Sequence, residues 1–141
     1  MPIRPRSDAS SLRPVNQRPA IVAIEEDADG DDVRVTITLD WRDRRHYGTA
    51  IGRADPPHRA RLAAEAALEA VEHMGGDRLQ IELMAVATAD IGDARVALAQ
   101  VRLGDDGEVL VGSALLADAG PSLAAVRAVM AALNRRLGRV L

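Results

Sequence analysis

Ile21-Val-Ala-Ile-Glu-Glu-Asp-Ala-Asp-Gly30-Asp-Asp-Val-Arg-Val35 is answered later in the same chain by Leu83-Met-Ala-Val-Ala-Thr-Ala-Asp-Ile-Gly92-Asp-Ala-Arg-Val96. Gly30 falls on Gly92 and Arg34-Val35 on Arg95-Val96, with one residue missing from the second copy. Further on, Tyr47-Gly-Thr-Ala-Ile-Gly-Arg-Ala-Asp55 answers Val111-Gly-Ser-Ala-Leu-Leu-Ala-Asp118, and an Ala-rich segment of helical periodicity follows both. The chain therefore reads as a tandem duplication of a strand-strand-strand-helix unit.

The strand assignments rest on period-two alternation. Val33, Val35, Ile37, Leu39 and Trp41 point one way, and Arg34, Thr36, Thr38 and Asp40 point the other. Strands are expected at 20–26, 33–41, 46–52, 79–88, 94–103 and 109–117. Asp27-Ala-Asp-Gly30-Asp-Asp reads as a turn between the first two, because Gly accepts positive φ and Asp tolerates turn geometry. Gly104-Asp-Asp-Gly107 reads as the hairpin turn between the last two. A first helix is expected from Pro56 to Met74, with Asp55 at its cap, Ala60, Ala64, Ala67, Val71 and Met74 as its apolar stripe, and Gly75-Gly76 at its end. A second is expected from Pro121 to Leu137, with Leu123, Val126, Met130, Leu133 and Leu137 on one face.

The expected class is α+β, with antiparallel sheet and two helices packed on one face. Two arrangements remain open: one six-stranded sheet carrying both helices, or two small sheets related by a pseudo-twofold. Residues 1–19, which alternate Pro with Arg and Ser, are expected to be a disordered basic tail. Residues 20–141 are expected to form one domain of two repeats, 20–76 and 79–138.

Composition narrows function. The 141 residues hold no Cys, which excludes disulfides, thiolate zinc sites and cysteine nucleophiles. There is no Lys, hence no Schiff-base or P-loop lysine; all 18 cationic side chains are Arg. The net charge of −3 argues against general nucleic-acid binding, although a reading in which the Arg-rich tail contacts nucleic acid predicts steeply salt-dependent binding. No apolar run is long enough to span a bilayer and no secretory leader is visible, so a cytoplasmic location is expected.

Candidate chemistry is sparse. Asp27, Asp29, Asp31 and Asp32 lack the spacing and distal Glu of a calcium loop. His46, His58 and His73 lack metal-ligand spacing, and no G-x-S-x-G or complete dinucleotide fingerprint is present. No catalytic residue, metal site or cofactor is assigned. The two helix starts are the candidate ligand sites, because free N–H groups there receive anions: Arg53 and Asp55 before the first helix, and Asp118, Gly120 and Ser122 before the second. Both aspartates also suit capping of their own helices.

The second repeat is apolar on both strand faces, which implies cover on both. Ala97, Ala99, Val101, Leu103, Leu110, Ala114 and Leu116 lie on one side, and Val96, Leu98, Val109, Val111 and Leu115 on the other. The first set is expected to form the interface of a homodimer.

The segment Ala119-Gly-Pro-Ser-Leu-Ala-Ala-Val-Arg-Ala128, placed after three strands, resembles the C-terminal regulatory domain of 2-isopropylmalate synthase. Gly120-Pro121 with Ala124, Ala125 and Ala128 carries the likeness, whereas in the first copy Arg-Ala-Asp separates Gly52 from Pro56. The resemblance covers roughly residues 20–138 in layout. It implies a dimerising module that binds an effector between its halves, without a catalytic barrel. The leading expectation is a non-catalytic regulatory or assembly module that binds a small ligand or protein partner. The alternative is an enzyme or enzyme subunit with an Asp/Arg cleft between the repeats.

Overall fold

The computed structural model describes residues 18–76, 79–105, 107–117 and 119–140. In chain order the elements are β1 (Ala20–Asp29), β2 (Asp32–Trp41), β3 (Arg44–Arg53), α1 (Pro56–Gly75), β4 (Ile81–Ile91), β5 (Ala94–Leu103), β6 (Glu108–Leu115) and α2 (Pro121–Val140). There are two antiparallel sheets of three strands, ordered β1-β2-β3 and β4-β5-β6, rather than one sheet of six. Except for Arg18 and Pro19, the expected tail lies outside the described residues.

The duplication is closer than the sequence alignment suggests. Ile24 faces Ile37 in the first sheet, and Val86 faces Ala99 in the second. The first strand of each sheet has a register shift at the same place, between Ile21 and Ala23 and between Leu83 and Ala85. By this register Val35 corresponds to Ala97, not to Val96, and no residue is missing from the second copy. Nor is the acidic run a six-residue loop. Asp29 pairs with Asp32 and Ile91 with Ala94, leaving two-residue turns in which Gly30 and Gly92 take φ of 65° and 59°. The copies differ in length one turn later: Trp41 faces Arg44 across a tight turn, whereas Leu103 faces Glu108 across a longer one.

The two helices lie side by side, each on the inner face of its own sheet. α1 packs on β2 and β3, on α2 and on β4; α2 packs on β5 and β6. This explains why more than one stripe of each helix is buried. On α1, Ala64, Ala67 and Val71 are joined by Ala63, Ala66 and Ala70; on α2, Val126, Val129 and Leu133 are joined by Ala125, Ala128 and Ala132. The added row is all Ala in both helices because the sheet comes very close. A Cβ at Gly48 of β3 would overlap the backbone of Ala66 and Ala70, and one at Gly112 of β6 would overlap that of Ala128 and Ala132. Volume is balanced across the molecule. Val35, Ile37 and Leu39 of β2 accompany the smaller Ala64 and Ala67 of α1, while Ala97, Ala99 and Val101 of β5 accompany the larger Val126 and Val129 of α2.

This layering overturns the expected interface. Ala97, Ala99, Val101 and Leu103 are at most 6 % exposed, and Leu110, Ala114 and Leu116 pack against the same core. All seven face inward, so they hold the second sheet on the helices and are not available to another chain. The face that remains outside is the opposite one.

Candidate functional site

The outer faces of the two sheets differ most along their middle strands, β2 and β5. On the first, Glu25 stands beside Thr36, Asp27 beside Arg34, Thr36 beside Thr49 and Asp40 beside Arg45, a largely polar surface on which Tyr47 and Ile51 of β3 are also exposed. On the second, Ala87 stands beside Leu98, Ala89 beside Val96, Val96 beside Leu115 and Gln100 beside Val111. Val109, Val111 and Leu115 are 45 %, 65 % and 58 % exposed. Val96 is buried and the Glu82–Arg102 ion pair stands at one end, so the apolar area open to water lies along β6, the kind of surface that marks a binding site.

The strand edges differ as well. In an antiparallel strand alternate residues direct their N–H and C=O toward one neighbour, so an edge strand has a row of unpaired groups. On β3 that row is covered by α1: the Thr49 N–H donates to Glu69 Oε1 at 2.9 Å, and His73 Nδ1 donates to the Tyr47 carbonyl at 2.6 Å. α1 covers β4 in the same way. The Ile81 N–H donates to Glu72 Oε2 at 3.0 Å, and Arg61 donates to the Leu83 carbonyl at 3.3 Å. Among the described residues, no side chain does the same for β6. Leu116 N–H donates to the Arg95 carbonyl on the β5 side, so by alternation Val109, Val111, Ser113 and Leu115 present their backbone groups to the open edge. The matched contacts of Gly48 and Gly112 place Ala131 of α2 where α1 has Glu69. A shallow groove of about 420 Å³ runs there, lined in part by Val109, Val111, Ser113, Ala131 and Arg136. At its end Arg136 grips Glu108 at 2.7 Å.

The two helix starts are not brought together. Asp55 makes no side-chain cap to α1; instead Arg53 donates to its Oδ1 at 3.2 Å and His58 to its Oδ2 at 2.6 Å. The hydrogen bond from His58, helped by Arg53, holds the Asp55 carboxyl below the usual aspartate range. Both ligand candidates in the first copy are thus engaged with each other. Gly120 and Ser122 line a different hollow of about 470 Å³, together with Ile21, Ile24, Leu123 and Arg127. Asp118 lies outside the described residues.

His46 points inward on β3. Burial first, then the charges of Arg44 and His73, push its imidazole below the ordinary histidine value, and its Nε2 is buried without a hydrogen-bond partner. Among the described residues, no three acidic or histidine side chains are grouped to hold a metal ion, and no helix is long and apolar enough to cross a membrane. No family model matches the chain, and no curated protein matches it.

The sequence reading missed the covering of β3 and β4 and the lack of it on β6. A signal exists: Glu69 and Glu72 of α1 correspond to Ala131 and Asn134 of α2. It becomes visible only after the strand edges are located in space.

Proposed function

We propose that this chain is a non-catalytic assembly or regulatory module that works as a homodimer and uses its second repeat as the docking side. The observation that supports the reading is the contrast between the middle strands of the two outer sheet faces, Arg34, Thr36, Thr38 and Asp40 in the first against Val96, Leu98 and Gln100 in the second, in repeats that otherwise match in register. A fold built from two equivalent halves has no internal reason to make one outer face apolar; a partner supplies the reason. The resemblance to the regulatory domain of 2-isopropylmalate synthase points the same way. A small ligand would have the hollow at Gly120 and Ser122 on the same side of the molecule as α2.

The test is the molar mass of the full chain by light scattering over a range of concentrations. Twice the 15.0 kDa of one chain is expected. A mass that stays at one chain at high concentration would remove the homodimer.

A further inference from the structure

We infer that the β6 edge is a self-pairing edge: β6 of one copy adds antiparallel to β6 of a second copy, joining two three-stranded sheets into one of six. This rests on the homodimer reading above and names how the two copies meet.

The argument starts from the unequal treatment of equivalent edges. α1 spends Glu69 and His73 on β3 and Glu72 and Arg61 on β4. Side chains placed on edge backbone groups stop another strand from pairing there. At the matched place beside β6, α2 presents Ala131, an exposed methyl group that leaves the edge accessible. β6 also lacks the other usual protections. Its one charge, Glu108, stands at the start of the strand and is held by Arg136, and Val109-Leu-Val-Gly-Ser-Ala-Leu115 contains no charge and no Pro, whereas β3 carries Arg44, Arg45 and Arg53.

The occupant follows from charge and closure. The uncharged stretch 109–115 does not select a charged partner, and it meets its own copy without like-charge repulsion. A twofold axis at Gly112 sets Val111 opposite Ser113 and Val109 opposite Leu115 of the second copy. That register uses all four residues whose backbone groups face the edge. With β3 and β4 covered by α1, and the remaining edge strand β1 carrying Glu25, Glu26, Asp27 and Asp29, whose like charges oppose its pairing with a second β1, pairing at β6 is expected to close as a dimer instead of continuing as a fibre. The apolar outer faces of the two second sheets then form one continuous surface. Ala131 of each copy lies beside the joint, where a longer side chain would intrude.

The experiment gives the second repeat the plug of the first. Ala131→Glu places a carboxylate within reach of the Ser113 N–H, as Glu69 is of Thr49. The full-length variant is expected to fall from twice the chain mass to that of one chain at the same concentration, with an unchanged far-ultraviolet circular dichroism spectrum. Val111→Lys, an exposed substitution on the strand itself, is expected to do the same and stands in if Ala131→Glu does not fold. A wild-type dimer that persists in the folded variants would overturn the β6 pairing and leave the homodimer reading intact. A wild-type monomer would overturn both.

Discussion

A methyl group at position 48 has nowhere to go: it would overlap the backbone of Ala66 and Ala70, and backbone moves only if the helix moves. Gly112 stands in the same relation to Ala128 and Ala132. Both glycines are therefore required by close approach and not by a turn. Gly48→Ala and Gly112→Ala are each expected to lower stability by about 1–3 kcal/mol, the usual cost of overpacking, read as a lower urea midpoint with an unchanged slope. An unchanged midpoint in either would mean that helix and sheet are further apart than described. At this scale the sequence was partly legible. The repetition Tyr47-Gly-Thr-Ala and Val111-Gly-Ser-Ala marks both glycines as equivalent, but only the position of the helix over the strand says why they are glycines. The roles of Arg53 and Asp55 were not legible, because nothing in their spacing says that His58 takes the carboxylate that was expected to cap the helix.

At the scale of elements, strand existence and alternation were legible, and which strand face turned inward was not. β5 and β6 are apolar on both sides, so alternation gives two faces but does not rank them. The assignment of Ala97, Ala99, Val101 and Leu103 to an outer interface failed for that reason. The helix α2 settles it by covering those residues. α1 has a second role, as the cover of two strand edges. Glu69→Ala removes the partner of an exposed strand N–H and is expected to cost about 0.5–1.5 kcal/mol. It also opens the β3 edge. The variant should therefore form species larger than the wild type at high concentration, visible by sedimentation velocity. Unchanged stability and unchanged size would show that Glu69 does not guard the edge.

The whole molecule is a duplicated unit whose symmetry is intact in the core and broken at the surface. The core keeps its register, its strand bulges and its glycine-to-helix approaches in both halves. The surface assigns one flank, built from β3, α1 and β4, to closure, and leaves β6 beside α2 open. The duplication itself could be read from the sequence, since related residues recur in order. The division of labour between the halves could not, because it depends on which helix side chains lie beside which strand edge. The most direct measurement is amide hydrogen exchange of the full chain, resolved at Val111 and Ser113. Among the described residues of one chain these N–H groups have no partner, and in a single chain they should exchange as fast as exposed loops. The account predicts slow exchange, comparable to β5, that speeds up on dilution below the dimer range. Fast exchange at both amides in a concentrated sample would contradict it.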